Sequence, residues 1–559
     1  MDKDIALLKE AVLDPRIDLD EWNVIAVLGF GFGRLVKELI NRTDEDILIL
    51  AIEPKLRMFK SALHDHDLKE VFSSKKLSLA IAEKPTDILL RIHERYEDFK
   101  GVSRLLLLEN GGFFRTSSQY FEAVVMCLRH AFSLSFYAAN TIRLLLPMWI
   151  RNVLDNLEAI VRSPGVGRLF NKFLEVPAII VSAGPSLDKN VGDLCLAKDK
   201  ALVICVDTAL RTLLRRGIRP DLVVSCDGSR KNYDYYISGV DIRNLTLITD
   251  PIVYPKTILE FNGHVFIRGV KEKDSFVNLF LDLIGSKGDV PAGGGSVSHY
   301  AFNLAKYFGC DPIIFVGLDL CFDGDKTYTN GVPRVRMDEA RRDSKEEEHV
   351  LIEDIYGKEI ITPRHLYNFL LWFRTEIRND PLGITYIDAT EGGAKIQGTH
   401  IMPLRQAIKD FCKRKIDVKG ILEEAVKNYE PPGVENLINR LGSLIDEYEL
   451  VINLSKEGRK KAEDIPSKGL DEIDGLFDEL EEISQRITER QYFLELNRPN
   501  VEEFLYEMKD GIRKIRHSKD ILIDLADEYK VFFDKIYDIS NGTLPHIVNA
   551  RNRLNLSRG

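Results

Sequence analysis

The chain has 559 residues, of which 45% are hydrophobic and 29% are charged, and its formal net charge is −10. This length allows about three to four domains, and the composition is typical of a globular protein with an ample core. The acidic balance argues against nonspecific nucleic-acid binding and against an anionic membrane surface as the main partner. We therefore expect neither nucleic acid nor membrane among the partners, although a local basic groove stays open.

The cellular compartment is predicted from the first residues and from the cysteines. The polar start Met1–Asp4 contains no basic segment followed by an apolar one, so we expect no secretory signal. The most apolar stretch, Thr141–Val153, contains two arginines and falls short of a membrane span. Seven scattered cysteines without a Cys-x-x-Cys pair are typical of reduced core thiols. These features predict a cytoplasmic protein without a zinc site.

The first α/β pattern begins with the buried strand Val24–Leu28 and continues through the glycine-rich turn Gly29–Gly33 into the helix pattern Arg34–Asn41. A second strand, Ile47–Ile52, leads to Glu53. This order is that of a nucleotide-binding unit, in which a carboxylate about twenty residues after the turn binds ribose. Two interpretations stay open: a bound nucleoside or S-adenosylmethionine-like ligand, or a scaffold that keeps the turn without a ligand.

Between residues 177 and 400, short apolar runs alternate with helical patterns. This alternation predicts an α/β fold with a mostly parallel, Rossmann-like central sheet. The predicted strands are Ala178–Val181, Ala201–Val206, Leu222–Ser225, Leu245–Ile248, His264–Ile267, Pro312–Val316 and Ile384–Ile387.

Small or polar residues follow several of these strands, where parallel sheets bind their ligands. Asp207 and Asp227 follow two strands, and Asp319 follows a third after Gly317. The turn Ser182–Ser186 combines the small residue Gly184, Pro185 at a position that suits a helix start, and the hydroxyls of Ser182 and Ser186. Such a turn can expose backbone N–H groups to a phosphate. The alternative is an ordinary strand-to-helix turn.

A second glycine-rich turn, Pro291–Ser298, precedes the helix pattern Val297–Phe308. Gly294, Gly295 and Ser296 there supply free N–H donors, the positive end of a helix dipole and a hydroxyl. The alternative is a flexible loop with a serine N-cap. Two serine-bearing turns with carboxylates at neighbouring strand ends together favour an anionic or nucleotide ligand.

Glycines thin out after about residue 405, and apolar residues recur at helical spacing over 437–448, 470–483 and 500–540. This pattern predicts a helical bundle. We therefore predict three domains: an N-terminal Rossmann-like α/β domain over 1–165, a central α/β domain over 166–405 and a C-terminal helical domain over 406–559.

The order of motifs from about residue 20 to 405 resembles the motility-associated factor family, the flagellin glycosyltransferases of bacteria. The residues that carry the resemblance are Leu28–Gly33 with Ile52–Pro54, Val181–Leu187, Asp207–Leu210 with Gly217–Asp221, Val224–Asp227, Gly293–Ser298, Phe315–Asp319 and Ile387–Gly398. The resemblance implies transfer of a sialic-acid-like nonulosonic sugar, such as pseudaminic or legionaminic acid, from a CMP-activated donor to Ser or Thr of flagellin. Such a reaction supports flagellum assembly and motility.

The resemblance also implies a binding site, because the central domain is similar to bacterial sialyltransferases that use CMP-sialic acid. The residues that would contact the CMP phosphate and ribose are Gly184, Pro185, Ser186, Gly295 and Ser296. Asp207 and Asp227 stand where those enzymes carry asparagines. The two carboxylates suit a divalent metal such as Mg²⁺ or ribose hydroxyls, so metal dependence stays open.

The same domain resembles the archaeal 6-hydroxymethylpterin diphosphokinase, which transfers diphosphate from ATP and needs magnesium. Two aspartates near a phosphate turn would suit that reaction as well. The large amino-terminal unit and the helical tail favour a macromolecular acceptor, and hence the glycosyltransferase. A non-catalytic flagellin-binding factor is a third alternative.

Sugar transfer needs a base for the acceptor proton, and the candidates are His299, Tyr328, His365 and His400. We assign catalytic roles to His299, Tyr328 and Asp227. His299 lies just inside the helix after the second glycine turn; its alternative is a satisfied helix histidine.

The charged segment Asp323–Glu353 is predicted to be a loop. It is either a lid whose arginines bind the sugar carboxylate or a solvated insertion. The arginines concerned are Arg334, Arg336, Arg341 and Arg342. Phe369 and Trp372, on the helix pattern Leu366–Ile377, are predicted core residues.

Overall fold

The computed structural model describes residues 5–8, 19, 22–45, 47–85, 88, 104–270, 275–291, 293–324, 326–333, 335–336, 338–339, 349–467, 470–501 and 519–557. The chain divides into two compact units, Met1–Leu144 and Leu145–Gly559. The three domains with boundaries after residues 165 and 405 stay a prediction. No helix in the described part of the chain has the length and apolar character needed to cross a membrane.

The amino-terminal unit is built on a five-stranded parallel sheet in the order β1-β5-β2-β3-β4. Its strands are β1 (Ile5–Leu8), β2 (Val24–Leu28), β3 (Leu48–Glu53), β4 (Leu77–Ile81) and β5 (Leu105–Glu109). Its helices are Arg34–Arg42, Leu56–Asp65, Lys69–Ser73 and Gly111–Arg115. The helix Ser118–Arg162 begins in this unit and ends in the second.

The second unit contains an eight-stranded sheet in which every pairing is parallel, with the order β10-β9-β8-β7-β6-β11-β14-β15. Its strands are β6 (Ala178–Val181), β7 (Leu202–Val206), β8 (Leu222–Ser225), β9 (Thr246–Thr249), β10 (His264–Ile267), β11 (Ile313–Val316), β14 (Tyr386–Asp388) and β15 (His400–Ile401). The α/β fold class with a central parallel sheet is therefore confirmed.

The strand order reverses beside β6, and this reversal determines where a ligand can bind. The chain adds strands outward from β6 to β10, and then returns to the other side of β6 with β11. Ligands of open α/β sheets bind outside the carboxyl ends of the strands near such a reversal. The turns that follow β6, β7, β8 and β11 therefore border the expected crevice.

The helices of the second unit include one that supports the crevice directly, since Val297–Phe308 packs against β6, β7 and β8. The others are Leu187–Asn190, Asp207–Arg215, Arg230–Asn232, Pro255–Leu259, Asn278–Leu281, Arg364–Arg378, Leu404–Phe411, Val418–Val426, Glu435–Asp464, Leu470–Thr488 and Lys519–Leu556.

The prediction of a loop over Asp323–Glu353 is wrong for the carboxyl end of this segment. Residues His349–Glu353 form β12, which pairs antiparallel with β13 (Glu359–Pro363) in a hairpin. The strand has only three consecutive apolar residues, Val350–Ile352, between polar ends. Such a short apolar run is a weak strand signal beside the charged residues that precede it. Arg334, Arg341 and Arg342 lie outside the described residues.

The carboxyl-terminal region is helical, as predicted. Helix Glu435–Asp464 packs against helix Lys519–Leu556, with Gly442 beside Arg551 and Gly458 beside Phe533. Because one residue number rises as the other falls, the two helices run antiparallel. The predicted pattern over 500–540 falls partly outside the described residues.

One glycine permits the close approach of these two helices. A Cβ atom on Gly458 would lie 2.4 Å from the ring of Phe533, which is fully buried and has no room to move. We expect Gly458→Ala to lower the free energy of unfolding by about 1–3 kcal/mol through overpacking. Gly475 is the matched control, because it lies in a helix with no atom within 4 Å of the added Cβ. Gly475→Ala should stabilise by about 0.5–1 kcal/mol. Urea unfolding of both variants checks this, and equal effects would contradict the packing account.

Candidate active site

A cavity with a volume of about 610 Å³ lies at the carboxyl ends of β7 and β8. Four of the predicted functional residues line it together: Asp207, Asp227, Tyr328 and Arg336. This volume falls within the range of small-molecule sites. The edge of the sheet predicted to bind a ligand therefore contains a cavity that can hold one.

Asp207 is the first residue of the helix after β7, and it is fully buried. Its carboxylate accepts hydrogen bonds from the Ser225 hydroxyl at 2.8 Å, the Asn232 amide at 3.0 Å and the Thr208 N–H at 2.7 Å. Burial raises the pKa of Asp207 to about 7, and the nearby charge of Asp227 raises it too. Asp207 therefore holds its proton to a higher pH than an aspartate in water does.

Asp227 follows β8 in an environment that contrasts with that of Asp207. Its side chain is exposed, and one carboxylate oxygen accepts the N–H of Ser229 at 2.7 Å. Ser229 in turn caps the short helix Arg230–Asn232. Two neighbouring strands thus present one buried and one open carboxyl group to the same cavity.

The second glycine turn reaches this cavity through Val297, the first residue of its helix. Gly293 and Gly295 have φ angles of +87° and +90°, which glycine adopts without strain. Ser296 is the N-cap, and its hydroxyl accepts the N–H of Ser298 at 3.3 Å. Gly295 is exposed, while Gly294 and Ser296 are half-buried. This turn is therefore open to a ligand at the cavity.

His299, the first predicted base, lies behind the second glycine turn and is fully buried. Its Nδ1 accepts the N–H of Ser296 at 3.3 Å, which completes a capping box, and its Nε2 lies 3.3 Å from the carbonyl oxygen of Phe369. The ring packs among Phe369, Trp372 and Phe373. This geometry gives His299 a structural role, and its catalytic role stays a prediction that the geometry does not favour.

The first turn, Ser182–Ser186, is mostly buried, in contrast to the second. The hydroxyls of Ser182 and Ser298 are 2.8 Å apart, which links the two turns. Ser186 donates its N–H and its hydroxyl to the carboxylate of Asp319. None of these side chains lines the cavity at β7 and β8. Their assignment to nucleotide binding stays a prediction.

His365 and His400, the remaining candidate bases, are exposed and do not line the cavity. His400 lies on β15 at the edge of the sheet. Of the four candidate bases, Tyr328 is the one on the cavity wall.

Several residues of the cavity were not predicted from the sequence. Tyr235 and Tyr236 are consecutive, and a π-helical turn over Tyr233–Ile237 directs both to the cavity. Lys231 and Glu339 add opposite charges to the wall. Their only sequence signal is their position shortly after a predicted strand end, since π-helical turns are frequent at functional sites but have no simple sequence pattern.

The glycine turn of the amino-terminal unit is filled by side chains of its own chain. An added Cβ on Gly29 would lie 2.9 Å from the Cβ atom of Phe113, and one on Gly31 would lie 2.7 Å from the ring of Phe113. The Asn110 amide donates to the carbonyl oxygen of Gly29 at 2.9 Å. Glu53 is buried and accepts the N–H of Lys55 at 3.0 Å. Of the two open interpretations, this geometry supports the scaffold without a ligand.

The donor set at the cavity fits a protein-held metal poorly. Both oxygens of Asp207 already accept hydrogen bonds from the chain. Within the described residues there is no group of three or more His, Cys, Asp or Glu side chains that is suited to hold a metal ion.

The reversed parallel sheet and the polar cavity at its carboxyl edge define a doubly wound α/β domain with a ligand-sized cavity. Residues 151–325 match the family model described as 6-hydroxymethylpterin diphosphokinase MptE-like. The whole chain shares the fold of the solved MAf glycosyltransferase from Magnetospirillum magneticum AMB-1, with a TM-score of 0.52 and 16% identity over 96% of this chain and 78% of that one. The predicted resemblance is confirmed to this extent.

A curated relative comes from Treponema pallidum (strain Nichols) and is described only as an uncharacterized protein. It is 31% identical over 126 residues, which are 20% of this chain and 31% of the relative. The match therefore spans less than a third of that relative's length.

The buried carboxyl of Asp207 predicts a specific dependence of stability on pH. Its folded pKa of about 7 exceeds the unfolded value of 3.8, so between these values only the folded state holds the proton. Its contribution to stability is complete below the unfolded pKa and is lost as pH rises through the folded pKa.

We expect Asp207→Asn to remove the loss of stability that accompanies ionisation of Asp207. The difference in free energy of unfolding, variant minus wild type, should grow by about 1.4 kcal/mol per pH unit between pH 4 and 7 and then level off. Urea unfolding across this pH range measures it. Parallel curves for the two proteins would contradict the buried, proton-holding carboxyl.

Proposed function

We propose that the protein is a glycosyltransferase that moves a nonulosonic sugar from a CMP-activated donor to Ser or Thr of flagellin. The observation that carries this proposal is the cavity at β7 and β8, which brings Asp207, Asp227, Tyr328 and Arg336 together. Most of its lining residues fall within 151–325, the region that matches the MptE-like family model, although Tyr328 and Arg336 follow that region. The chain has the fold of a solved Maf glycosyltransferase. Seven free cysteines are in keeping with a cytoplasmic site of action.

The donor phosphate binds at the open second glycine turn. The amino end of helix Val297–Phe308 and the backbone N–H groups of Gly294, Gly295 and Val297 favour a negative charge there. The helix is 12 residues long, so its peptide dipoles add over several turns. Its first residue, Val297, lines the cavity. Asp207 supports the cavity wall from beneath, because its buried carboxyl group accepts hydrogen bonds from Thr208 and Asn232, which also line the cavity.

Sugar transfer forms one bond and breaks another. The oxygen of the acceptor hydroxyl bonds to the anomeric carbon of the sugar, while the bond from that carbon to the phosphate oxygen breaks and CMP leaves with the electron pair. The open carboxylate of Asp227 takes the acceptor proton. Tyr328 donates its hydroxyl to the leaving phosphate oxygen, whose charge grows as the bond breaks.

Arg336 binds the carboxylate that distinguishes a nonulosonic sugar from a neutral one. Its guanidinium lies over the ring of Tyr328, 5.9 Å from the centroid, and pairs with Glu339 at 3.7 Å. A guanidinium forms paired hydrogen bonds with a carboxylate. Arg336 therefore orients the sugar beside Tyr328.

Diphosphate transfer from ATP to 6-hydroxymethyl-dihydropterin is the second candidate, because the match at residues 151–325 is to a family described by that activity. In this reaction the magnesium ion would arrive with ATP as part of the substrate. The cavity's three tyrosines, Tyr235, Tyr236 and Tyr328, would suit a flat pterin ring.

The two candidates are separated by direct assay. Incubation with a CMP-nonulosonic acid and purified flagellin should add the mass of the sugar to flagellin, whereas ATP, magnesium and the pterin should give no product. Product from ATP alone would overturn the glycosyltransferase. Flagellin binding without turnover would support a non-catalytic factor instead.

Arg336 provides a sharper test with a matched control. We expect Arg336→Gln to weaken binding of the CMP-sugar by about 10–100-fold, since hydrogen bonds between charged groups contribute about 1.5–3 kcal/mol. Affinity for CMP, which lacks the sugar carboxylate, should change less than about twofold. Arg219→Gln is the control, because Arg219 pairs with Asp241 and does not line the cavity. Calorimetry with both ligands measures these affinities. An equal loss of affinity for CMP and for the CMP-sugar would contradict this role of Arg336.

A further inference from the structure

The Ser182–Ser186 turn already holds a carboxyl group that comes from the same chain. The N–H of Ser186 lies 3.2 and 3.3 Å from the two carboxylate oxygens of Asp319, and its hydroxyl donates to Oδ2 at 2.8 Å. Ser186 and Asp319 are only 2% and 5% exposed. The donors that sequence reasoning assigned to a phosphate therefore bind an internal carboxylate.

Gly184 shows that the turn is shaped for this carboxylate. A Cβ atom added to Gly184 would lie 1.8 Å from Oδ2 of Asp319 and 2.6 Å from the carbonyl oxygen of Gly317. The N–H of Gly184 donates to that same carbonyl at 2.8 Å. The missing side chain thus makes room for Asp319, where sequence reasoning expected room for a ligand.

Asp319 is held from its other side by the Ile387–Gly398 motif, which the proposed function leaves unused. The N–H of Ala394 donates to the carbonyl oxygen of Asp319 at 2.7 Å, and an added Cβ on Gly393 would lie 2.4 Å from that oxygen. Lys189, whose amine donates to the carbonyl oxygen of Glu391, attracts the carboxylate. The motif therefore holds Asp319 against the turn.

The far side of the turn carries the segment that bears Tyr328. The N–H of Thr329 donates to the carbonyl oxygen of Ala183 at 2.9 Å, and its hydroxyl donates to Asp188 at 2.6 Å. The next residue, Asn330, also donates its N–H to Asp188. Thr329 is fully buried, whereas Tyr328 beside it lines the cavity. The position of Tyr328 therefore depends on the position of the turn.

We infer that Asp319 is a positioning residue: its carboxylate occupies the donors of the Ser182–Ser186 turn and fixes the support on which Tyr328 is held at the cavity. The donor phosphate then binds elsewhere, at the second glycine turn. The role of Asp319 in the turn is independent of the reaction, whereas its effect on turnover through Tyr328 rests on the proposed function.

An anion-rescue experiment tests the internal carboxylate without any substrate. Asp319→Ala leaves the Ser186 donors unpaired beside a space of carboxylate size, and Asp319→Leu fills that space with an apolar group. We expect both variants to lose thermal stability. Sodium formate, compared with sodium chloride at equal ionic strength and pH, should restore at least half of the lost melting temperature in Asp319→Ala and none in Asp319→Leu. If Asp319→Ala aggregates, its refolding yield in the two salts makes the same comparison.

Two further controls identify the donors. The double variant Ser186→Ala with Asp319→Ala should gain less from formate than Asp319→Ala alone, because the hydroxyl donor is gone. Asp221→Ala removes a different, half-buried carboxylate, which lies away from the turn and accepts the N–H of Val203 at 2.8 Å. It should lower the melting temperature and leave turnover below that temperature intact. An equal response of all variants to formate would overturn the inference.

Turnover tests the path through Tyr328. We expect Asp319→Ala to lower kcat about 100-fold, the scale expected from misplacing a catalytic group by about 1 Å, with KM for the donor changed less than about threefold. Formate should restore kcat. Adding Tyr328→Phe to Asp319→Ala should cost no more than the larger single effect. Additive losses, or loss of CMP binding in Ser186→Ala, would overturn the inference. Formate rescue of stability without any turnover would instead contradict the proposed reaction and leave the role of Asp319 in the turn intact.

Discussion

The parallel pairing of β6 with β11 is the constraint on which the candidate active site depends. It joins Ala178–Val181 to Ile313–Val316 at the point where the strand order reverses, so the turns that follow both strands meet at one edge. The hydrogen bond from the Ser186 hydroxyl to the Asp319 carboxylate links the two turns. A turn and a carboxylate 133 residues apart in the chain thereby become one unit.

Because Asp319 occupies the donors of the first turn, the two glycine turns differ in their access to a ligand. The first is buried and satisfied by Asp319, whereas the second has exposed Gly295 and reaches the cavity through Val297. The hydroxyls of Ser182 and Ser298 connect them at 2.8 Å. A buried turn can hold neighbouring segments rigidly because its donors are not exchanged with water. An open turn can exchange water for a ligand. The contrast explains how two similar motifs in one domain can serve different ends.

The sheet could be predicted from the sequence because buried parallel strands are unbroken apolar runs, as in Ala178–Val181 and Ile313–Val316. The short strand β15, with exposed His400 and Ile401, has no such run and was not predicted. Asp207 and Asp227 could be predicted to lie at one edge of the sheet because they come one and two residues after β7 and β8. Tyr235 and Tyr236 were missed because a local π-helical turn, rather than a strand end, directs them. The occupation of Ser186 by Asp319 is a long-range contact, and no local pattern encodes it.

The charges of the cavity explain why burial of Asp207 matters for an anionic ligand. Asp207, Asp227 and Glu339 face Lys231 and Arg336, so the wall carries one excess negative charge when every group is ionised. Protonation of Asp207, whose pKa burial raises to about 7, removes that excess. An incoming phosphate or carboxylate disfavours the ionised form of a nearby carboxyl group. Anion binding and proton uptake at Asp207 therefore reinforce each other.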